Sequence, residues 1–355
     1  MLYAGKLQYC ILFIFVSHKL LAVKTSTMVK KTTSLFLSSF ILISTLFISC
    51  KSGKKDFQEI NWANFEWAGD SLGNKYFDKV AMFIPVNFKG VPHNFLAQLD
   101  LGSDISIVYG NSFKSYLSTY PEFGRKLDTI LSEVAIGNES QGEIKDIELS
   151  LDSFLTQLKS VVYYKKFGSE IPTDSIASLT KKHIGIIGAD IVKNKVLLID
   201  YKNNRIAIVD SLNLKQTDKF NFLDCKITNG RIKLPLIING ETQWYMFETG
   251  SSIFPLVTDE NNWKSMCDVS KKEAIKISSK DKSYDILGAE TNKDIFFGKE
   301  KMPKTHAYVM PLNLNGYTEM FKQEDVKGTI GNACFLNTII AIDFKQSKFG
   351  VLKAN

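Results

Sequence analysis

The chain has 355 residues, 45% of them hydrophobic, with 44 basic and 37 acidic side chains and a net charge of +7. Five lysines and no acidic residue lie in the first 50 positions, so the rest carries 39 basic against 37 acidic residues, or +2. No basic patch interleaved with aromatics remains, so nucleic acid is not an expected partner, and the 305 residues after position 50 suffice for two cores.

Residues 1–50 read as a targeting leader. They hold two apolar runs, Tyr9 to Val16 and Ser34 to Ile48. The second has Met28-Val29-Lys30-Lys31 before it and Phe47-Ile48-Ser49-Cys50 after it. That layout resembles a bacterial lipoprotein signal, with Cys50 as the lipidated first residue of the mature chain. Met28 as the initiator, or two short membrane segments, are the other readings of this stretch. The run before Cys50 is short for a spanning helix of about 20 residues, which favours a lipid anchor. A place in the cell envelope is then expected, on a bacterial membrane and facing the periplasm or the surface. Residues 51–75, with Lys51, Lys54 and Lys55 at their start, read as a solvated linker.

Past the linker, Phe83 to Gly90 and Phe95 to Leu99 read as a strand pair that runs into Asp100-Leu101-Gly102-Ser103. Ile105 and Ile107 resume a period of two, so Asp100 sits on a tight turn between strands. Gly102 keeps a Cβ out of the way and lets backbone N–H groups point at the carboxylate. The hydroxyl of Ser103 is expected to do the same. Short helices are expected over Asn111 to Leu117 and Asp174 to Lys181, and Glu133 to Ile144 has hairpin punctuation. The segment His183-Ile184-Gly185-Ile186-Ile187-Gly188 is followed after twelve residues by Asp200.

The second half repeats this order. Leu234 to Gly240 and Trp244 to Phe247 lead into Glu248-Thr249-Gly250-Ser251, and a helix is expected from Asp259 to Met266. Gly328-Thr329-Ile330-Gly331 is again followed after twelve residues by Asp343. The offset is 148 residues between the two acids and 143 between Gly188 and Gly331. A duplicated unit of about 140 residues accounts for all these matches.

At these residues the chain resembles the pepsin-like aspartic peptidases, including their retropepsin-like relatives. The resemblance covers roughly residues 76 to 355 and implies an all-β, bilobal fold of two duplicated barrel-like lobes with a few short helices. The lobes would be residues 76–212 and 213–355. Asp100 and Glu248 would be the catalytic pair, with Gly102, Ser103, Thr249, Gly250 and Ser251 supporting their turns. Gly188 and Gly331 would lie on strands behind them. The Glu133 to Ile144 hairpin stands about where the family places a flap over substrate, without an identifiable flap tyrosine. An extended peptide or protein would bind across both lobes of a monomer, and no cofactor or metal is implied.

Two residues depart from the family pattern. Glu248 stands where Asp is usual, and its extra methylene moves the carboxylate by roughly 1.5 Å against a tolerance of about 0.5 Å. Leu101 stands where a Thr hydroxyl would bond across to the other lobe, so Thr249 loses its symmetric partner. Two functions are therefore expected as alternatives: an aspartic-type endopeptidase using an Asp100/Glu248 dyad and activated water, or an inactive relative whose cleft binds an extended peptide or partner protein. A purely structural pair of lobes is a third.

Cysteine and histidine add little chemistry. After Cys50 only Cys225, Cys267 and Cys334 remain, without metal spacing, and they read as small buried apolar residues. His93, His183 and His306 are isolated, so no metal is assigned.

Overall fold

The structure, a computed structural model, describes residues 57, 59–130, 134–136, 139–152, 154–250, 252–279, 282–310 and 317–353. The leader with Cys50, Ser251 and the tip of the 133–144 hairpin lie outside these residues. Within them the protein is all-β with a few short helices.

Alternating burial builds the acid-bearing hairpins. Lys75–Phe88 pairs antiparallel with Val91–Leu99, and Arg231–Ile238 with Glu241–Glu248. In Arg231–Ile238 every second residue is buried, namely Ile232, Leu234, Leu236 and Ile238, which is the period a sheet over a core imposes. The turn after it has Asn239 and Gly240 at φ 54° and 81°, as a two-residue hairpin turn with right-handed twist requires.

Two sheets follow one plan. In the first, Lys75–Phe88 is followed across the sheet by Val91–Leu99, Lys182–Ile187, Ile107–Tyr109, Phe154–Tyr164 and Gly142–Leu151. In the second the order is Arg231–Ile238, Glu241–Glu248, Gly328–Gly331, Leu256–Thr258, His306–Val309 and Lys282–Glu290. The sense of pairing agrees at each step: antiparallel, parallel, antiparallel, parallel, antiparallel. Both wedge a late strand between the acid strand and the strand that returns from its turn. The first sheet also closes on itself, where Asn87 and Phe88 pair with Ser150 and Leu149.

A third sheet of six strands joins the two. Its centre is the antiparallel pair Val196–Asp200 and Ile339–Asp343, with Leu198 opposite Ala341. Alternation gives this sheet two faces. Leu197, Ile199, Ile340 and Ile342 pack into the main core with Leu99 and Leu101, beneath the acid turns. Leu198 and Ala341 face the other way, onto a cluster that holds Phe57, Ile60 and Phe220. The chain therefore enters the fold on the face turned away from the acids.

Two sequence expectations change. The expected linker to residue 75 is partly folded: Ala63–Asn64 pairs with Arg205 and Ile206, and Glu66–Leu72 pairs with Lys75–Phe88. Ala63 and Phe65 are buried, so this stretch has core contacts that a tether lacks. The expected helix from Asp174 to Lys181 is only a single turn, Thr173–Ser175, because Ile176 alone is buried there and no apolar stripe exists. Helices do form at Gly110–Thr119 and Glu260–Met266.

The joining sheet should be the most costly place to remove a side chain. Ile199→Ala is expected to lower stability by about 2–5 kcal/mol in urea unfolding, whereas Lys202→Ala on the exposed adjoining turn should stay within about 0.5 kcal/mol of the parent.

Candidate active site

Asp100 directly follows the Val91–Leu99 strand, and its N–H donates to Ile187 O at 2.9 Å. The turn closes with Ser103 N donating to Asp100 O at 3.2 Å and Gly102 N donating to Asp100 Oδ1 at 3.0 Å. Glu248 is the last residue of its strand, opposite Gly331, and Gly250 N donates to its Oε1 at 2.6 Å. Each acid is thus held by the N–H two residues on. The structure brings the two carboxyl groups into hydrogen-bond contact.

Each acid passes over the other turn's glycine. A Cβ added at Gly102 would collide with Glu248 Oε2, and one at Gly250 would lie 2.8 Å from both Asp100 Cγ and Glu248 Oε1. Neither glycine has a positive φ, so close approach rather than backbone conformation requires them. The longer Glu248 side chain fits because its carboxyl lies over the bare backbone of Gly102. Behind the Asp100 turn, a Cβ at Gly188 would collide with the Ile105 backbone. Gly331, its counterpart, is buried and donates to Pro255 O at 2.9 Å.

The turns are also tied across the two sheets. Thr249 Oγ1 donates to Leu99 O at 2.9 Å and accepts from Leu101 N at 2.8 Å. Leu101 returns no such bond, and its side chain fills the core. A residue that sequence reasoning missed supplies the return: Gln98 Nε2 donates to Gly250 O at 2.7 Å. Its only signal was a polar residue inside the apolar run before Asp100. Ser103 departs from expectation as well. Its hydroxyl donates to Ile105 O at 2.7 Å, a local side-chain-to-backbone bond, and not to the carboxylate.

Burial differs between the two acids. Glu248 is completely buried, whereas Asp100 keeps part of its surface. Burial pushes Glu248 well above the usual carboxylate range, and the charge of Asp100 and its hydrogen bond add to this. Burial raises Asp100 too, but the hydrogen bonds from Glu248, Gly102 and Ser103 and the charge of Arg231 oppose it. The pair therefore favours a single shared proton, with burial favouring the neutral form at Glu248. Glu248 Oε2 lies buried over Gly102, where a Cβ would collide with it.

One further charged side chain touches the Asp100 turn, and another holds the segment that leaves it. Arg231 Nε donates to Gly102 O at 3.3 Å, and its guanidinium pairs with Glu324, which also takes Lys233 at 3.0 Å. Asp190 accepts from Ser106 N at 2.8 Å and Ser106 Oγ at 2.6 Å, and burial pushes its carboxyl up to about 6. Among the described residues no group of three His, Cys, Asp or Glu side chains is placed to hold a metal ion. Cys225, Cys267 and Cys334 are free thiols.

An acid whose folded pKa exceeds its unfolded value stabilises the fold fully below the unfolded value and loses that contribution as pH rises through the folded one. Glu248→Gln keeps the shape and cannot ionise. In urea unfolding it should match the parent near pH 4 and exceed it near pH 8. As for relatives, no protein-family model matches the chain, and no curated protein matches it.

Proposed function

We propose that the protein is an aspartic-type endopeptidase of the pepsin-like class, acting through Asp100, Glu248 and a water molecule. The observation that carries this reading is two carboxyls held together over facing glycines, delivered by matching turns of two like-ordered sheets. Asp100, ionised and partly exposed, would take a proton from water as the water attacks a peptide carbonyl. Glu248 would give its proton to the developing oxyanion. The step balances within the pair, since the proton that Asp100 gains replaces the one that Glu248 loses.

An extended peptide backbone is the substrate geometry that two sheets flanking a dyad favour. The hairpin of Ala135–Ile136 and Glu139–Ser140 packs with Val134 on Ile107, Tyr109, Val162 and Ile186, together with Ile105 just past the Asp100 turn. That position suits a cover over bound substrate. A lipid anchor at Cys50 is part of the same proposal. Phe57 meets Phe220 edge-on at 6.0 Å on the outer face of the joining sheet, so an anchored molecule would hold its dyad away from the membrane.

The second reading is an inactive relative that binds an extended peptide or partner. Its supporting observation is the complete burial of Glu248, which leaves solvent to reach the pair from the Asp100 side alone.

The test is cleavage of a diverse unfolded-peptide mixture by the chain lacking residues 1–50, across about pH 3 to 7. Activity should rise as Asp100 ionises and fall as Glu248 gives up its proton, and Asp100→Asn and Glu248→Gln should each abolish it. A folded parent that cleaves nothing at any pH would leave the binding reading in place.

A further inference from the structure

The two acid turns are braced from behind by different chemistry. Ala189 and Asn332 occupy matching positions, each immediately after the glycine of the wedged strand. Ala189 N donates to Ser103 O at 2.9 Å, and its side chain offers no donor. Asn332 is fully buried, and its Nδ2 donates to Thr249 O at 2.9 Å and to Ser252 Oγ at 2.8 Å. Its Oδ1 accepts from Tyr201 Oη at 2.6 Å.

Tyr201 belongs to the other half of the molecule. It follows Asp200 at the end of a central strand of the joining sheet and is buried there, stacked on Trp67 with ring centroids 6.4 Å apart. One chain of contacts thus runs from the joining sheet through Tyr201 and Asn332 to Thr249 and Ser252 of the Glu248 turn. All three Asn332 bonds are short and enclosed, and the amide orientation satisfies each partner.

We infer that Asn332 is a positioning residue for Glu248, fixing from the joining sheet the turn that holds the longer carboxyl against Asp100. Thr249 is the hinge of this arrangement. Its hydroxyl reaches Leu99 and Leu101 across the interface while its carbonyl is held by Asn332. A turn gripped on one side alone would let a three-bond side chain swing, and about 1 Å of displacement costs roughly a hundredfold in rate. The inference rests on the peptidase reading for its kinetic arm only.

Asn332→Asp keeps the shape and the acceptor for Tyr201 but offers the turn at most one donor. Tyr201→Phe leaves the ring and removes the hydroxyl. For Asn332→Asp, kcat should fall about 10- to 100-fold with KM within about twofold. The titration midpoint of Glu248, read from its 13C-labelled carboxyl, should move by about one pH unit or more, and Tyr201→Phe should give smaller changes in both. Asn332→Asp with parental kcat and an unmoved midpoint would overturn the inference, as would a kcat loss that merely follows the melting temperature. If Asn332→Asp does not fold, Tyr201→Phe is held to the same criteria. A parent without peptidase activity removes the kinetic arm and the proposed function with it, but the Glu248 midpoint in Tyr201→Phe, which adds no charge, still decides whether this brace positions that carboxyl.

Discussion

The close approach of the Asp100 and Glu248 carboxyls sets the terms for the rest of the molecule. Two carboxyls pressed together out of water cannot both ionise cheaply, so one must keep its proton and the scaffold must hold them in contact. The glycines answer the second demand, since each leaves room for the acid from the opposite turn. Burial of Glu248 answers the first, while the backbone N–H groups of Gly102 and Gly250, each donating to one carboxyl oxygen, favour the ionised form. Arg231 adds a positive charge beside Gly102, and Glu324 and Lys233 keep that charge within an ion-paired cluster.

The joining sheet is what turns two separate turns into a pair. Leu198 opposite Ala341 marks its centre, and its inner residues pack against the same core that carries Leu99 and Leu101. Tyr201 extends that connection by a polar route, through Asn332 to the Glu248 turn. The asymmetry of the site follows. One turn presents a short and partly exposed acid, the other a longer and fully buried one that burial pushes toward its neutral form. In the proposed mechanism, general acid and general base would be set by environment rather than by residue type.

Much of this was legible in the residues because local chemistry and global fold agree there. Asp100-Leu101-Gly102 and Glu248-Thr249-Gly250 each follow an apolar run, and the pattern recurs with its later landmarks at a nearly constant offset. Gly188 and Gly331 were visible for the same reason. What stayed hidden depends on contacts between segments far apart in sequence. Gln98 bonds across 152 residues and Tyr201 across 131, and neither carries a local pattern that announces its partner. The role of Ser103 was misjudged because two acceptors compete for its hydroxyl, and only the fold decides which lies nearer. The stretch from Ala63 to Leu72 was read as tether because its strands borrow their partners from elsewhere in the chain.

The most direct measurement is a pH titration of 13C-labelled Asp and Glu carboxyls in the parent protein, with Asp100 and Glu248 assigned by substitution. The account requires Glu248 to remain protonated well past the ordinary glutamate range while Asp100 is already ionised, and each resonance to respond to the other's titration. Independent titration of both groups at ordinary values would contradict it, because the two acids would then share no proton and the turns would be no more than turns.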